Sequence, residues 1–149
     1  MKYILIFLSV FILGCDSTEQ YSDEDLSQKI LGTWTHNYYE GSYGIIEYLP
    51  SGDKCEIGLN FDFSGTPELD FYWNKWEIQN GIIKTTLHAT NTILEKGRQI
   101  NDEIVLLNDH ELTVNMVVPK GEDTEYHHRS KHSLSGKVCE IVKKHLTRN

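Results

Sequence analysis

The chain has 149 residues, with 14 Lys+Arg against 22 Asp+Glu, a formal net charge of -8 and 11% aromatic residues. That length suits one domain with a substantial core, and the aromatic and apolar content argues against disorder throughout. The acidic balance argues against a sequence-independent nucleic-acid binder, which needs clustered Lys and Arg to displace counterions from phosphates.

Lys2 precedes an almost wholly apolar run from Tyr3 to Leu13, broken only by Ser9. A helix that crosses the hydrocarbon core takes about 20 residues, so this run has the size of a signal-peptide hydrophobic region. Ile12-Leu13-Gly14-Cys15 follows. The order of charge, apolar run, small residue and Cys resembles the bacterial lipobox, although Leu13 stands where Ala or Ser is commoner. The resemblance implies removal of residues 1–14 as a signal peptide and acylation of Cys15 with palmitate-type chains. The mature chain would then be a lipoprotein held to the bilayer in the cell envelope, each buried methylene contributing about 0.8 kcal/mol. Inner and outer membrane both stay open. Asp16 resembles an inner-membrane retention signal of enteric bacteria, whereas acidic residues near this position accompany surface export in other groups.

Residues 15–25 read as an acidic tether, with Asp16, Glu19, Asp23, Glu24 and Asp25 and no basic residue, and residues 26–149 read as the folded domain. Ser22 is placed to cap a short helix through Leu31, with Asp23, Glu24 and Asp25 against its N-terminal dipole. From Thr33 the hydrophobic period becomes two. Cys55, Ile57, Leu59, Phe61 and Phe63 alternate with Glu56, Gly58, Asn60 and Asp62, which predicts a strand with one dry and one wet face. Eight strands are predicted near 33–40, 43–49, 54–63, 69–78, 82–90, 99–107, 111–118 and 124–132, separated by turn residues. Asn80-Gly81 carries the strongest hairpin signal, because both residues tolerate the positive φ of a type I′ turn.

Short connections imply antiparallel neighbours in an up-and-down meander, and closure into an eight-stranded barrel removes its exposed edges. A two-sheet sandwich is the alternative, at the cost of longer crossovers. The tail from Ser135 places Val138, Ile141, Val142 and His145 at helical spacing, and either a helix or a ninth strand fits it. Cys55 and Cys139 can form a disulfide outside the cytoplasm or stand as two buried thiols.

Gly32-Thr33-Trp34, opening the first strand after a short helical segment, resembles the Gly-x-Trp signature of lipocalins. Trp76-x-Ile78-x-Asn80-Gly81 and the Leu112-Thr113-Val114 strand are similar to small bacterial lipocalin-like lipoproteins. The resemblance covers about residues 30–132 in architecture and only a handful of motif residues. The middle motif of the family, a Thr-Asp-Tyr group, is absent, with Asp109 alone remaining in Asn108-Asp109-His110. The resemblance implies that Trp34 closes the base of the barrel with Arg129 of the last strand over its ring, a cation–π contact of about 0.5–2 kcal/mol.

With Trp34 inward, His36 and Tyr38 share its face by the period of two. Ile57, Leu59 and Phe61 are expected to line the same interior, joined by Tyr72, Trp76 and Met116. Such a lining suits a small hydrophobic ligand. A filled core would instead make the barrel an interaction module that docks another envelope protein. Seven His raise the question of a metal. On one strand His127 and His128 face opposite sides, and His128 and His132 lie about 13 Å apart at the usual rise. A zinc ion needs ligand atoms about 2 Å away, so that strand alone cannot hold it and no metal centre or other cofactor is expected. No Gly-x-Ser-x-Gly, His-Glu-x-x-His or Cys-x-x-Cys pattern is present, so no enzyme is expected. Glu47, Glu56, Asp62, Asp70, Glu77 and Glu103 read as parts of solvated faces.

Overall fold

A computed structural model describes residues 21–37, 42–61, 65–118 and 121–148. Residues 1–14, read as a signal peptide, and Cys15, Tyr38 and Asp62 lie outside the described residues. Helix α1 (Asp23–Ile30) leads into eight strands, β1 (Gly32–Asn37), β2 (Tyr43–Tyr48), β3 (Asp53–Phe61), β4 (Pro67–Gln79), β5 (Ile82–Thr90), β6 (Gln99–Leu107), β7 (Glu111–Val118) and β8 (Gly121–Arg129), and helix α2 (Val138–Leu146) closes the order. The strands pair antiparallel in sequence order, and β1 meets β8 through Trp34↔Arg129, Thr35↔His128 and His36↔His127. The sheet is therefore a closed barrel rather than a sandwich, and the tail is a helix rather than a ninth strand. The last strand ends at Arg129, so His132 lies beyond it in the turn that leads to α2.

Local chemistry accounts for the ends of these elements. Ser22 and Asp25 form a reciprocal capping box on α1, satisfying amides that a helix start leaves orphaned. Asn80 and Gly81 both take positive φ, 55° and 72°, as a type I′ turn requires. Asp23 accepts hydrogen bonds from both turn amides at 2.7 and 2.9 Å, which fastens α1 to the β4–β5 hairpin.

The base of the barrel is apolar. Leu26, Ile30, Trp34, Ile46, Tyr48, Ile83, Leu107, Leu112 and Val114 form one buried cluster. Trp34 is fully buried and donates from its indole nitrogen to the Ile30 carbonyl at 2.7 Å. The Arg129 guanidinium lies 3.8 Å from its ring centroid and donates to the Leu31 and Lys29 carbonyls at 2.5 and 2.8 Å. Arg129 thereby neutralises the carbonyl-rich C-terminus of α1 while it covers the indole.

A second apolar layer lies outside the barrel. Ile45, Cys55 and Phe71 on the outer face pack against Val138, Cys139 and Val142 of α2, flanked by Ile57 and Trp73. The structure joins Cys55 to Cys139 in a disulfide, with Cα atoms 4.9 Å apart. Glu47 accepts a 2.8 Å hydrogen bond from the Cys139 amide, a cap that Lys137 at the helix start does not supply. Asp53 binds Lys75, Lys143 and the Trp73 indole at 2.6–2.9 Å. Burial opposes its charge, but those donors, joined by Ser51, hold its carboxyl well below the usual carboxylate range.

This outer layer overturns one expectation about β3. Cys55, Ile57, Leu59 and Phe61 occupy the face away from the interior, and Lys54 and Glu56 point into the barrel. Period-two alternation separates two faces without saying which is inside. The amphipathic helix α2 provides a dry surface outside, where Cys55 is buried and Ile57 packs half-buried against it. Phe61, beyond the helix, is 49% exposed.

Candidate functional site

Above the apolar base the barrel interior changes character. A cavity of about 310 Å³ has Ile46, Ile100, Val114 and Met116 on its apolar side. Its polar side comprises His36, Tyr48, Lys54, Glu56, Asp102, Asp123, Glu125 and His127. Four carboxyl groups thus face one ammonium, with two imidazoles between them. The volume falls at the lower end of the range of small-molecule sites, about 300–1,000 Å³.

The strand register assembles the His-rich wall. His36 of β1 pairs with His127 of β8 on one side and with Gly44 of β2 on the other. The two imidazoles stack with ring centroids 4.6 Å apart. Glu125, two residues before His127 and therefore on the same face, has Oε2 3.3 Å from His127 Nε2 and 3.8 Å from His36 Nδ1. His36 Nε2 reaches across β2 to within 3.5 Å of Glu56 Oε1. That reach depends on Gly44. A Cβ at this position would lie 2.1 Å from His36 Nε2, so a strand glycine here makes room for a ring.

Burial and charge set the protonation of this wall. Burial pushes the His127 pKa down, outweighing its hydrogen bond to Glu125, which favours the neutral imidazole at pH 7. Burial opposes ionisation of Glu125, but His127, His36 and Lys54 together lower its pKa and keep it a carboxylate. Burial raises the pKa of Asp102, with Glu125 and Glu56 adding to the rise and Lys54 opposing it. Burial likewise raises that of Tyr48. For Lys54 burial works against the charge, yet Tyr48, Asp102 and Glu125 outweigh it and raise its pKa. Among the described residues, Glu56 Oε1, Asp102 Oδ1, Thr85 Oγ1 and His127 Nδ1 are buried without a hydrogen-bond partner. Each such atom costs about 1–3 kcal/mol, and three of the four, on Glu56, Asp102 and His127, line this one cavity, a concentration that calls for an explanation other than stability.

The expected site residues distribute unevenly. His36 and Met116 line the cavity. Trp76 does not line it; it packs on the apolar base, edge-on to Tyr48 at 5.3 Å, donates from its indole to the Asp53 carbonyl at 3.1 Å and borders a separate groove with Lys75, Thr85 and Asn101. Tyr72 lines a separate groove with Asp70, Asn91 and Leu94. Ile57, Leu59 and Phe61 are outside the barrel, for the reason given above. Glu47 and Glu56, read as solvated, are buried, at 2% and 8% exposure, whereas Glu77 and Glu103 are exposed.

Sequence reasoning passed over Lys54, Asp102 and Glu125, and it tested His127 only against His128 and His132. One signal was available. A Cys on the apolar row of β3 and another on an amphipathic helix imply, if paired, that this row faces the helix. Lys54 and Glu56 then have to face inward. Among the described residues no helix is long and apolar enough to cross a membrane. No protein-family model matches the chain, and neither does any curated protein.

Proposed function

We propose that the chain is a lipid-anchored envelope protein, acylated at Cys15, whose lipocalin-like barrel binds a small solute rather than catalysing a reaction. The observation that carries the binding reading is the cavity of about 310 Å³ in which charged side chains are buried above an apolar floor. Gly32 and Trp34, with Arg129 packed over the indole, support the lipocalin-like resemblance. The lipobox-like Ile12-Leu13-Gly14-Cys15 supports the anchor. The polar wall changes the expected ligand chemistry. A wholly hydrophobic ligand would strip water from Glu125, Asp102 and Lys54 and offer them no polar group in return, at several kcal/mol per ion. The fitting solute has a cationic or donor-rich end against the carboxyl groups and an apolar part against Ile46, Val114 and Met116.

Mass spectrometry of the full chain isolated from membranes tests both halves. The expected covalent mass lacks residues 1–14 and carries acyl chains at Cys15. The expected native spectrum adds a non-covalent small molecule, lost when Met116→Trp fills the cavity. Met1 still attached with an unmodified Cys15 thiol would overturn the anchor. Absence of any solute from both the native spectrum and a solvent extract would overturn the binding reading.

A further inference from the structure

We propose that His36, Glu125 and His127 bind one divalent transition-metal ion inside the barrel, leaving an open coordination position toward the cavity. The proposal rests on the reading that this cavity is reached by solutes, and it names one class of them. The three side chains each offer a ligand atom, and these atoms lie within 4.8 Å of one another. With metal–ligand bonds of 2.0–2.2 Å, a tetrahedral site has edges of about 3.4 Å. Two of the three edges already stand near that value, 3.3 Å from Glu125 Oε2 to His127 Nε2 and 3.8 Å from Glu125 Oε2 to His36 Nδ1.

A second, independent feature lies behind the ligands. A metal-bound imidazole ordinarily gives its other N–H to a carboxylate, which fixes the ring and strengthens it as a donor. With Nδ1 of His36 on the metal side, its Nε2 faces Glu56 Oε1 at 3.5 Å, and that buried oxygen has no hydrogen-bond donor among the described residues. Gly44 is what allows the ring to span this distance. His127, 3% exposed, is held against the site by its stacking on His36. Two nitrogens and one carboxylate select a first-row transition ion over calcium or magnesium, which take oxygen ligands. The acidic wall, four carboxyl groups against Lys54 alone, supplies the compensating charge for a doubly charged ion.

The test uses the untagged full chain, stripped with EDTA and titrated with Zn2+ by calorimetry and with Co2+ by visible absorption. The expected result is one ion per chain, with four-coordinate Co2+ bands. His36→Ala or His127→Ala should weaken Zn2+ at least a hundredfold. Glu56→Gln should weaken it about tenfold. His128→Ala, on the outer face of the same strand, should leave it unchanged. If an alanine variant fails to fold, imidazole NMR of the native chain decides: Zn2+ should shift His36 and His127 and leave His110, His128 and His132 in place. No saturable Zn2+ binding, undiminished binding in folded His36→Ala and His127→Ala, or shifts confined to the surface imidazoles would each overturn the proposal. Zn2+ failing while an organic solute is retained removes the metal site alone; failure of both removes the solute reading as well.

Discussion

Gly44→Ala probes the close approach on which the histidine wall depends. Gly44 is absent from the positive-φ glycines, so alanine can adopt its backbone conformation. The added methyl meets His36 Nε2 at 2.1 Å, far inside van der Waals contact, and the ring has to move. Overpacking of this kind costs about 1–3 kcal/mol, while removing glycine's freedom from the unfolded chain returns about 0.4–1 kcal/mol. The net expected loss is about 1–2 kcal/mol. In a His36→Ala background the obstacle is gone, and the same methyl should be neutral or stabilising. The two substitutions should therefore couple by about 1–3 kcal/mol, within the range seen for residues in contact. Urea titration of the four chains, followed by tryptophan fluorescence and extrapolated linearly, measures that coupling. An equal cost of Gly44→Ala in both backgrounds would show that His36 does not lie across β2, and the assembled wall would fall with it.

Converting Cys55 and Cys139 together to Ser opens a loop of sequence separation 84, and chain entropy puts the loss at about 4–5 kcal/mol by denaturant titration; a loss below about 1 kcal/mol would argue against the bond. The depressed carboxyl of Asp53 stabilises the fold above the unfolded aspartate range near pH 4, and that share is lost as pH falls toward the lower folded value. Asp53→Asn should accordingly flatten the acid limb of a stability-versus-pH curve, and an unchanged slope would contradict the ion cluster at α2. Trp34→Ala removes a fully buried indole from the base and should cost about 3–5 kcal/mol in thermal or urea unfolding; an unchanged midpoint would place the residue outside the core.

Much of the fold was legible because each turn carries its own chemistry. Asn80-Gly81, the Ser22 cap and the two-residue period depend on neighbours in sequence, and the structure has all three. The inward side of β3 was not legible, because it depends on α2, whose first residue lies 77 positions after Phe61. The helix offers a dry surface outside the barrel, and alternation alone is blind to it. The same limit hid the His-rich wall. His36 was recognisable as inward from Trp34, but its neighbours on that face are set by the β1–β8 and β1–β2 registers, which no local pattern encodes. On a closed sheet the side chains that meet His127 include His36 of the neighbouring β1, which spacing along β8 alone does not reveal.

The two apolar layers explain how a barrel of this size tolerates charged groups inside. Hydrophobic burial comes from the base, where α1, Trp34 and Leu112 pack together, and from the outer face beneath α2. An ordinary small barrel has only its interior to bury and fills it with apolar side chains. Here α2, fixed by the disulfide, by Glu47 at its start and by Asp53 on Lys143, turns part of the outer face into a second core. The upper interior is thereby released from the duty of holding the fold together. Lys54, Glu56, Asp102 and Glu125 can then accumulate there despite their desolvation, in the pattern of sites that trade stability for function. The helix that hid the orientation of β3 is also the element that makes the polar chamber affordable.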